Sequence, residues 1–311
     1  MKKDVISILD VQDRIKDLLR IAAEIKKKHN DGEPFTPLKG KSLGMIFEKP
    51  STRTRISFEV GMTQLGGHAL YLSPKDLQIG RGETIADTAM VLSRYVDCIM
   101  YRAFKNEMMV ELARNSTVPV INGLDDREHP CQIMADLLTI KEKKGGFEDQ
   151  HLVYVGDGNN VCNSLLLGGA LVGMDVTACT PKGYEPNEEI LQKAKAIGKE
   201  KGSVISLSND SEEAVKGATI IYTDVWISMG DEEEKERKLR DFKDFEVNDR
   251  LVSLASEDVI VMHCLPAHRG LEISASVIDG PHSVVFDQAE NRLHAQKAIM
   301  ADVMQSRFKS H

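Results

Sequence analysis

The chain has 311 residues, 41% of them hydrophobic and 28% charged, with a net charge of −8. This is ordinary for a soluble globular protein and argues against disorder, and at about 150 residues per domain the length points to two domains. A chain-wide basic footprint for nucleic acid is absent, aromatics are only 5%, and no apolar run reaches the ~18 residues of a membrane span.

In chain order, Ser7 is placed to cap a first helix. Ile8, Val11, Ile15, Leu18, Leu19, Ala22 and Ile25 recur at helical spacing behind it. The helix is expected to stop near His29-Asn30-Asp31-Gly32, and Pro34 and Pro37 enforce a loop. Short apolar runs then alternate with amphipathic segments. Strands are expected over 43–47, 98–101, 118–121, 152–155, 176–179, 204–207, 220–223, 259–262 and 284–286. Repeated strand–helix units with apolar strands predict an α/β fold, with parallel sheets covered by helices on both faces. The polar stretch 141–150 is the expected boundary region, the mixed-charge run 231–244 reads as solvated, and a last helix fits 289–308. The cysteines Cys98, Cys131, Cys162, Cys179 and Cys264 are odd in number and lack Cys-x-x-Cys. That fits a reducing compartment, and the opening MKKDVISILD reads as no signal peptide, so a cytoplasmic location is expected.

In open parallel sheets, ligands bind beyond the carboxyl ends of the strands. Polar clusters follow the expected strands at those ends. Ser51-Thr52-Arg53-Thr54-Arg55 joins a strand to a helix. A helix N-terminus with two guanidiniums and several hydroxyls suits phosphate capture. The bland alternative is a capped helix with surface arginines. His129-Pro130-Cys131-Gln132 places an imidazole and an amide at a helix start, suited to a developing oxyanion and an amide-like group. Gly156-Asp157-Gly158-Asn159-Asn160 looks like a dinucleotide turn, but Val161 stands where a third glycine is needed and no acidic residue ends the next strand. NAD binding is therefore disfavoured. Asn159, Asn160, Asn163 and Ser164 suit a carboxylate, or a helix cap. Asp224, ahead of Val225–Gly230, suits an ammonium group. His263-Cys264-Leu265-Pro266 lacks zinc spacing, so metal is disfavoured, and a buried inert thiol is the commoner fate of such a cysteine than a nucleophile.

Together, Ser51-Thr52-Arg53-Thr54-Arg55, His129-Pro130-Cys131-Gln132, Asp224 through Gly230 and His263-Cys264-Leu265-Pro266 closely resemble the ornithine carbamoyltransferase family, over essentially the whole chain. The resemblance implies two α/β domains, each with a central parallel sheet, linked by long helices. Residues 1–140, completed by 289–311, would bind carbamoyl phosphate, and 150–288 would bind L-ornithine. It also implies a homotrimer or an assembly of trimers, with no metal and no organic cofactor. Carried over by position, Ser51, Thr52, Arg53, Thr54 and Arg102 would hold the phosphate, and Gln78 would reach the neighbouring subunit's site. Arg102, His129 and Thr54 would surround the carbonyl oxygen. Gln132, Arg292 and the Cys264 and Leu265 carbonyls would hold the carbamoyl end. Asn160 and Met229 would bind ornithine's α-carboxylate, and Asp224 and Ser228 its α-amino group. The loop after Asp224 is expected to close over ornithine. The closest rivals are carbamoyltransferases for putrescine, an acylated ornithine or aspartate. A nonenzymatic binding protein on the same fold is the alternative from another class.

Overall fold

The computed structural model describes residues 2–73, 77, 82–227 and 234–305. The chain divides into two compact units, residues 1–138 with 290–311, and residues 139–289. Both divisions fall inside helices, Pro130–Lys144 and Val285–Met304.

In the first unit, β1 (Ser42–Phe47), β2 (His68–Leu72), β3 (Cys98–Arg102) and β4 (Val120–Leu124) form a parallel sheet in the order β2-β1-β3-β4. Residues 98–102 are all buried, as an interior parallel strand requires. Ile46, Ile99 and Tyr101 pack with Met109 and Leu112 in one core cluster. Ser7 does cap the first helical segment, through a capping box with Asp10, but its first turns are a 3₁₀ helix, Ile8–Arg14, before the α-helix Ile15–Asn30. Strand β2 has no counterpart among the expected strands. It is an edge strand, and its side chains are mostly exposed or half-buried, so HALYL carries little burial signal. Gly67 makes the entry to β2 possible: a Cβ there would lie 2.3 Å from Met62 Cε and 2.9 Å from the Lys41 carbonyl.

In the second unit, β5 (His151–Val155), β6 (Asp175–Cys179), β7 (Ile205–Ser208), β8 (Ile220–Thr223) and β9 (Ile260–His263) form a parallel sheet in the order β7-β6-β5-β8-β9. The chain starts in the middle, winds outward to β7, then returns to the other side of β5. The direction reverses between β5 and β8, and a ligand crevice belongs at that switch point. The expected strand at 284–286 is instead the start of the helix Val285–Met304. Residues 282–284 hydrogen-bond alongside Val261, but Gln288 N then bonds the Val284 carbonyl and the helix takes over. A three-residue apolar run holds too few ladder bonds to resist that. The last helix therefore begins four residues before the expected 289, and Phe308 lies outside the described residues. No helix among the described residues is long and apolar enough to cross a membrane.

Candidate active site

The first cluster lies beyond the carboxyl ends of β1, β3 and β4. Ser51 caps the helix Thr52–Gln64, its Oγ accepting from Thr54 N at 3.3 Å. The Thr54 hydroxyl lies 3.1 Å from Ser51 Oγ and accepts from Arg292 Nη2 at 3.2 Å. Arg292 Nη1 donates to Gln132 Oε1 at 2.6 Å, and the Gln132 amide donates to Asp136 at 2.8 Å. Arg292 Nε donates to Gln296 Oε1 at 3.0 Å, and Gln296 Nε2 donates to Ser57 Oγ at 2.8 Å. Thr54, Gln132 and Gln296 thus hold one buried guanidinium in place.

Arg102 is the last residue of β3, buried, at a register shift between Tyr101 and Arg102. His129 is buried directly before the helix Pro130–Lys144. Its loop is shaped by Asp125, whose carboxylate accepts from Asn106, Asn122 and the backbone N–H groups of Arg127 and Glu128. Burial holds the His129 imidazole well below its ordinary range, and the positive fields of Arg292, Arg102 and Arg53 push the same way. A neutral imidazole among three guanidiniums is a donor set for negative charge, not a base for taking protons.

The second cluster lies at the switch point of the other sheet. Asp224 follows β8 and is 5% exposed. Its Oδ2 accepts from Asn159 Nδ2 at 2.8 Å, and its Oδ1 from Cys264 Sγ at 3.0 Å. Asn159 also caps the helix Asn160–Val172, accepting from Val161 N and Cys162 N. The capping asparagine is therefore Asn159, and Asn160 is the first helical residue. Gly158 serves close packing here: an added Cβ would lie 2.3 Å from Pro186 N. The glycine that imitates a dinucleotide turn is required by the neighbouring backbone.

Cys264 follows β9, and Leu265 adopts a left-handed φ of 57° before a cis peptide bond to Pro266. His263 is fully buried, with Nδ1 accepting from Leu265 N at 2.8 Å, so Nε2 carries the proton toward Glu272 at 3.2 Å. Glu272 also accepts from His268 N and so closes the loop carrying Cys264 and Leu265. Potential ligand atoms of Asp224, His263 and Cys264 lie within 4.8 Å of one another. Each is already engaged in the hydrogen bonds above. The remaining expected residues, Gln78, Ser228 and Met229, lie outside the described residues, as does most of the loop expected to close after Asp224. Sequence reading missed Ser57, Asp136, Gln296 and Glu272, whose partners lie elsewhere in the chain or within generic helix and loop patterns.

Two parallel-sheet units, one with arginines and a capped helix start beyond its strands and the other with a buried carboxylate at a switch point, have the form of an α/β enzyme. A family model described as aspartate/ornithine carbamoyltransferase, carbamoyl-P binding domain, matches residues 3–142, and the Asp/Orn binding domain model matches residues 148–303. The ornithine carbamoyltransferase of Methanosarcina mazei is 57% identical over 305 residues, 98% of this chain and 100% of its own. A catabolic ornithine carbamoyltransferase of Thermoplasma acidophilum is 54% identical, covering 96% of this chain and 97% of its own. The structure of ornithine carbamoyltransferase from Pyrococcus furiosus superposes with a TM-score of 0.94 at 53% identity, over 98% of both chains. The chain belongs to the aspartate/ornithine carbamoyltransferase family.

Proposed function

We propose that this chain transfers the carbamoyl group of carbamoyl phosphate to the side-chain amine of L-ornithine, giving L-citrulline and phosphate. The observation that carries the choice of amine is Asp224, a buried carboxylate at the switch point that is hydrogen-bonded by Asn159 and Cys264. It would repel aspartate's side-chain carboxylate and attract an α-ammonium. The names of the full-length relatives support the same choice. A citrulline colour assay with ornithine and carbamoyl phosphate tests the reading. Carbamoylation of aspartate, putrescine or an acylated ornithine in preference to ornithine would overturn it.

In this reading residues 1–140 with the last helix take carbamoyl phosphate, and 150–288 take ornithine. Ser51, Thr52, Arg53, Thr54 and Arg102 hold the phosphate, and His129, Arg102 and Thr54 face the carbonyl oxygen. Gln132, Arg292 and the Cys264 and Leu265 carbonyls hold the carbamoyl end. Asn160 and Met229 hold ornithine's α-carboxylate, and Asp224 and Ser228 its α-ammonium. The side-chain amine attacks the carbonyl carbon, negative charge grows on its oxygen, and the carbon–oxygen bond to phosphate breaks. Preorganised cations stabilise both negative centres, and holding the two substrates in attack geometry supplies much of the rest. The amine must react in its neutral form. With a pKa like that of lysine, about 10.4, roughly one molecule in a thousand is neutral at pH 7.4, which is about 4 kcal/mol. In this reading Cys264 contributes to selecting that form. Its S–H points at Asp224, so it is not set up as a thiolate nucleophile.

Arg53→Ala is expected to weaken carbamoyl phosphate binding strongly, because it removes a charge-assisted phosphate contact. Arg53→Lys is expected to restore binding only in part, since a point charge does not reproduce a planar fork. Calorimetric affinities for the three proteins check this, and an unchanged affinity in Arg53→Ala would remove Arg53 from the phosphate site.

The active form in this proposal is a homotrimer in the cytoplasm. The helices Thr52–Gln64 and Ile85–Leu92 and edge strand β2 leave Ile56, Leu70, Tyr71, Met90 and Val91 exposed, an apolar set that suits burial by another copy. The five cysteines are all free, in keeping with a reducing compartment. Mixing an inactive Gln78 variant with an inactive Arg53 variant under subunit exchange is expected to recover part of the activity. Hybrid oligomers with no recovered activity would count against a site shared between subunits.

A further inference from the structure

The first unit holds a polar cavity of about 260 Å³, with Lys297 among its lining residues. Lys297 is 3% exposed and lies on the helix Val285–Met304. Its ammonium donates to Gln64 Oε1 at 2.8 Å. Gln64 is the last residue of the helix that begins at Thr52, so the cavity is roughly 18 Å of helix away from the Ser51–Thr54 cluster, at 1.5 Å rise per residue.

A buried cation is normally paired with an anion, and an ammonium has three protons to donate. The acidic groups nearby are already engaged. Glu33 lies 3.8 Å from Lys28 Nζ. Glu290 lies 3.8 Å from Lys26 Nζ and 3.5 Å from His294 Nε2. Lys297 has no ion-pair partner among the described residues, and it donates to a neutral amide, that of Gln64. Burial correspondingly lowers its pKa to about 8. The lining holds one carboxylate, Glu33, which faces Lys28, together with His29, whose ring lies 5.8 Å from that of His294. Ile25, Pro34 and Phe35 give the same cavity an apolar wall. Its volume falls just under the roughly 300–1,000 Å³ of sites for drug-sized ligands, which calls for a small occupant.

We propose that this cavity binds a small organic carboxylate, whose anionic group pairs with the Lys297 ammonium and whose apolar body lies against Ile25, Pro34 and Phe35. This site is separate from the reaction centre, and its test needs no turnover, so it stands or falls independently of the carbamoyl-transfer reading. The experiment is carbon-13 NMR of the full-length protein labelled at the lysine ε-carbon, with the Lys297 signal assigned through Lys297→Met. The protein is titrated with butanoate, inorganic phosphate and chloride at matched ionic strength. Butanoate is expected to shift the Lys297 signal saturably and to raise its apparent pKa by about one unit, as a nearby opposite charge does. Phe35→Ala is expected to weaken butanoate several-fold. No saturable shift with butanoate would overturn the site. Equal responses to phosphate or chloride, or an unchanged butanoate affinity in Phe35→Ala, would overturn the organic body of the ligand.

Discussion

His129→Ala is expected to lower kcat by about 100- to 1,000-fold, the ~2.7–4 kcal/mol typical of losing one oxyanion donor. The change in KM for carbamoyl phosphate should be much smaller, because the contact strengthens only as charge develops. The reason lies in the surroundings of the ring. It is buried, and Arg292, Arg102 and Arg53 all oppose its protonation. The neutral ring can therefore donate one N–H, and the guanidiniums supply the charge. His129→Asn, which keeps a neutral donor, should recover part of the loss. If His129→Ala instead raises KM in proportion while kcat stays intact, the residue is a uniform binding contact.

The same surroundings set a pH dependence. The folded-state pKa of His129 is depressed, so the unfolded chain takes up the proton first as pH falls below about 6.5. This contribution to stability is fully present above that pH and is lost as pH falls toward the folded value. His129 should therefore add no acidic limb to the kcat profile between pH 6 and 8. A variant lacking the imidazole should lose less stability between pH 7 and 5 than the parent, as denaturant midpoints would report.

How far the chain could be read in advance follows from how local each feature is. Interior parallel strands such as β3, β5 and β8 are continuous apolar runs, because both faces of the sheet are covered, and a run is visible without knowing its partners. Edge strand β2 has one neighbour and mostly uncovered side chains, so nothing in His68–Leu72 separates it from a loop. Val284–Phe286 looks like a strand but becomes a helix start, since apolarity alone does not distinguish the two in so short a run. The site residues follow the same logic. Ser51–Thr54, His129 and Asp224 stand at strand ends inside recognisable segments. Gln296 is legible only once folding brings Ser57 and Arg292 to it, and Ser57 is 239 positions away. Likewise, the pairing of Asn159 with Asp224 spans 65 positions. These supporting contacts decide where the reacting groups point, and they leave no local signature.

Asp224→Asn is expected to reduce kcat/KM for ornithine by about 10- to 100-fold, the range of a lost hydrogen bond to a charged group of roughly 1.5–3 kcal/mol. Turnover of 5-aminopentanoate, which lacks the α-ammonium, should change far less. Asp224 already accepts from Asn159 and Cys264, yet each carboxylate oxygen has a second lone pair to offer. Both partners are neutral, so the negative charge of this buried group remains available to an α-ammonium. Ornithine brings that ammonium, and 5-aminopentanoate, which keeps the carboxylate and the reacting amine, does not. 5-Aminopentanoate would leave the Asp224 carboxylate buried and uncompensated, which is how a polar site rejects an analogue lacking the matching group. In Asp224→Asn the charge disappears, the penalty against 5-aminopentanoate falls, and the advantage of ornithine falls with it. The ratio of kcat/KM for ornithine to that for 5-aminopentanoate should therefore be large in the parent and collapse in the variant. A parent that prefers 5-aminopentanoate, or a ratio indifferent to Asp224, would show that this carboxylate does not read the α-ammonium, and the amine specificity would have to come from another part of the unit.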